Sequence, residues 1–153
     1  MSAEDKLKAM GLTLPATPKP SANYMSYRKV GNLVFISGQD PRYPDGSFAK
    51  GKVGRDVTVE QAYEHAKLVG LGLLSAAKAA AGSLDKVEMI RMLGMVNAVP
   101  EFTQAPQVIN GCSDLFVAVL GDNGRHARSA VGTDSLPENI TVKIEVMIRV
   151  LAE

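Results

Sequence analysis

The chain of 153 residues has one cysteine, no tryptophan, four tyrosines and four phenylalanines. A single thiol, Cys112, excludes an internal disulfide framework and any cysteine-rich metal site. So few flat rings argue against platforms for stacking nucleic-acid bases. An excess of one charge is missing too. The 17 Lys and Arg against 16 Asp and Glu leave a net charge of +1, too little to attract nucleic acid or an anionic membrane surface. No apolar run reaches the length that spans a bilayer. The first ten residues mix Glu4 and Asp5 with lysines and lack an apolar centre, unlike a secretory signal or an acid-poor transit peptide. A cytoplasmic protein is the expectation. The two histidines, His65 and His126, lie far apart with no matching ligand cluster, so neither a metal nor another cofactor is expected.

The periodicities that are present divide the chain. Residues 1–22 read as a short helix over 3–10, stopped by Gly11, and a stiff arm over 14–21 with Pro15, Pro18 and Pro20. Residues 23–153 read as one domain, long enough to bury a core without covalent staples. Its first apolar runs, 24–30 and 32–37, flank Gly31-Asn32 as a hairpin. Turn chemistry at 41–46 leads to a candidate short strand at 51–54. From Thr58 the apolar spacing turns helical, through Val59, Ala62, Ala66, Val69, Leu73, Ala76 and Ala80, with Gly82 as the stop and Asp56 or Thr58 as the cap. Gly70 and Gly72 weaken that helix unless close packing, expected here against a sheet, compensates. Residues 87–96 read as a strand apolar on both faces.

A second helix over 106–120 follows from the stripe Val108, Cys112, Leu115, Phe116 and Val119, despite Asn110-Gly111, which alone favours a turn. Residues 126–133 and 140–151 close the chain as strands, the last with strict alternation. The sum is an α+β fold, one sheet with both long helices on one face. Its other face is left bare, and self-association is the simplest cover.

Within His126-Ala127-Arg128-Ser129-Ala130-Val131 a permanently charged fork stands among small and apolar neighbours that read as a buried strand. Burying a guanidinium is costly unless an acid meets it. Either a protein carboxylate sits opposite Arg128, as a structural ion pair with Glu145 or a neighbouring subunit's acid, or the position awaits an acidic ligand.

Several strings resemble the RidA/YjgF family: Gly31-Asn32-Leu33-Val34-Phe35-Ile36-Ser37-Gly38-Gln39, Gly51-Lys52-Val53-Gly54, Ala127-Arg128-Ser129-Ala130-Val131, and Leu136-Pro137 leading into Val142-Lys143-Ile144-Glu145. The resemblance spans residues 24–151. It implies a chorismate-mutase-like fold of the bacillus type, a homotrimer around a barrel-like core, and sites in clefts between subunits. It also implies hydrolysis of reactive enamines and imines, such as 2-aminoacrylate and 2-iminopropanoate, to 2-keto acids and ammonia. Older names in the family invoke endoribonuclease activity. By position, Arg128 matches the arginine that binds the substrate carboxylate. Tyr24 matches the tyrosine at the cleft mouth, Gly38 the backbone contact, and Asn110 the asparagine on the second helix. Two positions depart: Ala130 replaces the usual cysteine, and Lys143 replaces the glutamate that holds the attacking water. The segment 100–108 is also longer than its family counterpart.

Each of these residues has a plainer reading. Lys143 is either a strand lysine in water or, with its pKa depressed by burial and Arg128, a base; Glu145 or a backbone-held water are the other candidates for that task. Tyr24 either lids a ligand or is a half-buried strand aromatic, with Tyr27 as competitor. Asn110 either offers an amide to the cleft or faces solvent. If the last two strands pair with each other, Arg128 shares a face with Lys143 and Glu145. The expected partners are a small carboxylate metabolite and further copies of the chain. The expected activity is that of a 2-iminobutanoate/2-iminopropanoate deaminase. Its alternatives are a non-catalytic metabolite-binding protein and, disfavoured by neutral charge and sparse histidine, a ribonuclease.

Overall fold

A computed structural model of the chain describes residues 1–17, 19–20 and 22–152; Pro18 and Ser21 of the expected arm lie outside them. The strands are β1 (Tyr27–Val30), β2 (Leu33–Gln39), β3 (Val87–Asn97), β4 (Ala127–Thr133) and β5 (Val142–Val150). They form one mixed sheet in the order β1-β2-β5-β3-β4. Two long helices, α2 (Val59–Ala81) and α3 (Ala105–Leu120), pack on one face of it, and a short helix α1 (Ala3–Ala9) packs beside α3.

Local chemistry accounts for most boundaries. Val30 pairs with Leu33, so Gly31-Asn32 is a two-residue turn, and Gly31 takes the left-handed φ of +61° that such a turn requires. The first strand starts at Tyr27, leaving Tyr24 in the loop before it. Thr58 caps α2 in a reciprocal box with Gln61, and Gly82 ends that helix in the left-handed region. Asp56 instead accepts the backbone N–H of Lys52 and closes a turn. The short strand expected at 51–54 is reduced to isolated bridges from Val53 to Val57 and Ala98. In α1, Ser2 and Asp5 form a second capping box, and Ala3 and Leu7 enter the core.

The core lies between helices and sheet, where Val142, Ile144, Val146 and Ile148 of β5 face Val69, Leu73, Val108 and Cys112. Close approach is made by removing side chains. A Cβ on Gly70 would lie 2.9 Å from Leu115 and 3.2 Å from Cys112 Sγ, so this glycine packs on α3 rather than on the sheet. Gly72 does meet the sheet, at Gln39 Oε1. Gly111 brings α3 onto the backbone of α2, since a Cβ there would overlap the carbonyl oxygen of Tyr63. Here the helix carries through Asn110-Gly111 because the missing side chain is what the crossing needs.

Two expectations about strand placement are overturned. The last two strands do not pair: β4 lies parallel to β3 at the sheet edge, and β5 is inserted between β2 and β3. The helix between β3 and β4 makes a crossover, which returns the chain parallel to the strand it left. The strongly alternating β5 takes the interior place, where its apolar side is fully covered. Consequently Arg128 is on an edge strand, with Ala127, Ser129, Val131 and Gly132 exposed, not on a buried one. The face away from the helices is half apolar, with Phe35 46% and Val131 45% exposed beside Leu33, Leu93, Met95 and Met147.

The crossing at Gly111 is testable. Gly111→Ala is expected to lower unfolding free energy by about 3 kcal/mol in urea titration, because an added methyl must push two backbones apart; an unchanged midpoint would contradict this packing.

Candidate functional site

Arg128 stands in register with Met92, whose own partner on β5 is Val146, so its side chain leaves the sheet on the helix-covered side. Its Nη1 donates to Ser113 Oγ at 3.0 Å and its Nη2 to the carbonyl oxygen of Pro106 at 3.4 Å. Pro106, Asn110 and Ser113 are spaced four and three residues apart, one above another on α3. Asn110 therefore stands between the two anchors of the guanidinium. Ala130, two residues along β4, lies on the same side of the strand. Among the described residues no carboxylate pairs with Arg128.

Behind Arg128 the anchor continues. His126 Nδ1 lies 2.7 Å from the carbonyl oxygen of Gly124, its Nε2 lies 2.9 Å from Ser113 Oγ, and Phe116 meets its ring edge-on at 5.9 Å. A carbonyl only accepts, so Nδ1 carries the proton in the neutral ring and Nε2 is free to accept from Ser113. Burial holds His126 below the usual imidazole range; the Gly124 carbonyl opposes this and the Arg128 charge adds to it. Sequence reading left Ser113 out of the site. Two spacings carried the signal: Ser113 is one turn beyond Asn110, and His126 precedes Arg128 by one strand repeat.

A second group of residues gathers elsewhere. Tyr24, Gly38, Asp40, Arg42, Glu138 and Lys143 line a cavity of about 430 Å³. Lys143 Nζ donates to Asp40 Oδ1 at 3.0 Å, both half-buried. A Cβ on Gly38 would come within 3.1 Å of Lys143 Cε, so the glycine lets the lysine lie across it. Tyr24 is 52% exposed at the cavity mouth. Asp40, directly after the Ser-Gly-Gln string, is the partner that sequence reading missed.

The two groups do not meet within one chain. Lys143 is in register with Met95 and Val131, three positions from the row of Arg128 and, that offset being odd, on the opposite face. The whole of β3 stands between their strands, a separation of about 10 Å. The shared face expected for Arg128, Lys143 and Glu145 is thus overturned by the strand order. Glu145 is exposed, opposite Leu93 on the open face, and joins neither group. The histidines also sit apart. His65 lies between Thr141 Oγ1 at 3.0 Å and Tyr43 Oη at 3.3 Å, and burial lowers its pKa against the opposing pull of Glu64. Among the described residues no cluster of three or more His, Cys, Asp or Glu is placed to hold a metal ion, and no helix is long and apolar enough to cross a membrane. Cys112 is fully buried, and that burial pushes its thiol pKa up, away from reactivity.

A family model described as "YjgF/chorismate mutase-like, putative endoribonuclease" matches residues 4–150. The chain belongs to this family, that of the RidA/YjgF proteins. It is 38% identical over 144 residues to protein TCP17 of Trypanosoma cruzi, covering 93% of this chain and 90% of that one. The crystal structure of protein Atu1372 from Agrobacterium tumefaciens is 44% identical, with a TM-score of 0.89 over 97% of this chain and 93% of that one. RidA from the Antarctic bacterium Psychrobacter sp. PAMC 21119 is 28% identical, with a TM-score of 0.61 over 90% of this chain and 96% of that one.

The depressed imidazoles set a pH dependence. Both His65 and His126 have folded-state pKa values below 6.5, so below that pH the unfolded chain takes up protons that the fold refuses. Stability is expected to be full above pH 6.5 and to fall as pH drops towards the folded values. Urea midpoints at pH 7.5 and 5.5 should show this drop, and His126→Gln should reduce it; equal midpoints would contradict the burial argument.

Proposed function

We propose that this protein binds a small 2-keto or 2-imino carboxylate on Arg128, in a cleft completed by a second copy of the chain, and hydrolyses reactive enamines or imines to the 2-keto acid and ammonia. One observation carries the reading: a half-buried guanidinium held in place by a hydroxyl and a carbonyl, with no carboxylate paired to it among the described residues. Such a fork, already oriented, offers two parallel N–H groups to an incoming carboxylate. Asn110 stands beside it as a donor or acceptor for the ligand's nitrogen or keto oxygen, and Ala130 leaves room.

Assembly completes the site. In a head-to-tail ring the Arg128 edge of one subunit meets the Tyr24, Gly38 and Lys143 cavity of the next. A closed trimer also covers the half-apolar open face of each sheet. The partners are therefore small carboxylate metabolites and two further copies, in the cytoplasm. A second reading rests on Lys143, which is tied to Asp40 where the resemblance places a free acid. In that reading the same pocket binds a 2-keto acid without turning anything over.

Two measurements test this. Light scattering is expected to give three times the 16.3 kDa chain mass, and a monomer would exclude a shared cleft. Wild-type protein should release ammonia from freshly generated 2-iminopropanoate, with kcat/KM about 100-fold lower in Arg128→Ala. Calorimetry that shows 2-oxobutanoate binding lost in the same variant, with no ammonia release above buffer from wild type, would leave the binding reading alone. Binding and turnover that both survive Arg128→Ala would overturn the two together.

A further inference from the structure

We infer that Ser113 and His126 form a proton relay at the Arg128 site and act as the water-activating base where the family pattern's glutamate is replaced by Lys143. This rests on the reading of Arg128 as a carboxylate anchor. Three contacts carry it. Ser113 Oγ accepts from Arg128 Nη1 at 3.0 Å and stands 2.9 Å from His126 Nε2, while His126 Nδ1 is engaged by the Gly124 carbonyl at 2.7 Å. The carbonyl fixes the tautomer, so the hydroxyl donates to Nε2 and keeps a lone pair for water. The other acceptor for this hydroxyl among the described residues is Met92 Sδ at 3.8 Å, a weak one. Nucleophile-side hydroxyl, base and a third group that orients the base are the parts of a general-base constellation.

The geometry suits an acid held on Arg128. A carboxylate on that guanidinium lies one hydrogen bond from its N–H groups, which brings the adjoining C2 atom within one water's reach of Ser113 Oγ. Water attacks C2 of the bound iminium, its oxygen bonding to carbon while the C=N pair moves to nitrogen. The water's proton passes to Ser113 Oγ as the hydroxyl proton passes to His126 Nε2. The imidazolium then returns a proton through Ser113 to the nitrogen. The C–N bond breaks, the C2–O double bond forms, and the remaining hydroxyl proton departs with ammonia as ammonium.

Burial, with the charge of Arg128 adding to it, favours a neutral His126 ring at rest. The ionisable groups on neighbouring elements are Arg128 on β4, Cys112 and Asp114 on α3, Asp122 and Arg125 in the turn before β4, and Arg91 on β3. Asp114 is taken by the phenol of Tyr63, Asp122 pairs with Arg125, and Arg91 stands one position off the row of Arg128, on the other face of the sheet. Arg128 is the charge that acts on the ring, and a carboxylate bound to Arg128 offsets it. Ligand binding and protonation of His126 are therefore linked, each favouring the other.

The test uses the full chain, wild type and three variants: Ser113→Ala, His126→Gln and Arg128→Ala. With 2-iminopropanoate as substrate, Ser113→Ala and His126→Gln are each expected to lower kcat about 100-fold with KM changed less than about threefold. The double variant should be no worse than either single one, because the pair acts as a unit. The acid limb of the wild-type pH profile should disappear in His126→Gln. Independently of turnover, NMR should show neutral His126 protonated on Nδ1, with its pKa raised by 2-oxobutanoate in wild type and not in Arg128→Ala. An active wild type whose activity is lost in Arg128→Ala but kept within about threefold in both relay variants would overturn the relay and leave the anchor standing. A wild type that releases no ammonia overturns the deaminase reading and the relay with it. A keto acid that leaves the His126 pKa unmoved would place the ligand elsewhere.

Discussion

The structure turns on a guanidinium that the fold orients but does not neutralise. Arg128 is fastened by Ser113 and by the Pro106 carbonyl, both from α3, and these contacts exist because α3 lies close over the sheet. That closeness is set by missing side chains: Gly94 on β3 makes room for Ile109, and Gly111 meets the backbone of α2. An arginine on an exposed strand edge would ordinarily move among solvated rotamers. Here α3 takes two of its five donors. Neutral anchors cost an arginine little of its charge, unlike the acid of a structural ion pair.

The second consequence concerns assembly. The residues that the resemblance would gather into one cleft occupy two places in the chain, separated by β3 and on opposite faces of the sheet. A sheet with helices on one side and Phe35, Val131 and their neighbours on the other has an unfinished surface. The proposed ring would answer both, with copies meeting through the open face and bringing unlike edges together. Under that proposal the interface builds the site, and binding depends on oligomerisation. The Lys143–Asp40 pair then shapes the cavity wall rather than waiting as a free base.

Much of the architecture was legible in the sequence because period is a local property. The stripe through Val108, Cys112 and Leu115 gave α3, Thr58 and Gly82 bounded α2, and the alternation from Val142 gave β5. Strand order is not local. The six residues between the last two strands suggested that they pair, yet the crossover through α3 seats β4 against β3 and the apolar side of β5 claims the interior. The error carried into the site, since it set Arg128 beside Lys143 and Glu145. For the same reason the partners of Arg128 and Lys143 went unseen. Asp40 comes close only after the register shift near the end of β2 brings it there; Ser113 does so only after α3 packs over the sheet, although its spacing from Asn110 already set both on one side of that helix.

The most direct measurement is a crystal structure of the protein with 2-oxobutanoate. Its carboxylate is expected on Arg128 in two parallel hydrogen bonds, with Asn110 alongside and Tyr24 and Gly38 of an adjoining copy closing the cleft. A keto acid bound away from Arg128, or an adjoining copy's carboxylate already seated on that guanidinium, would contradict it.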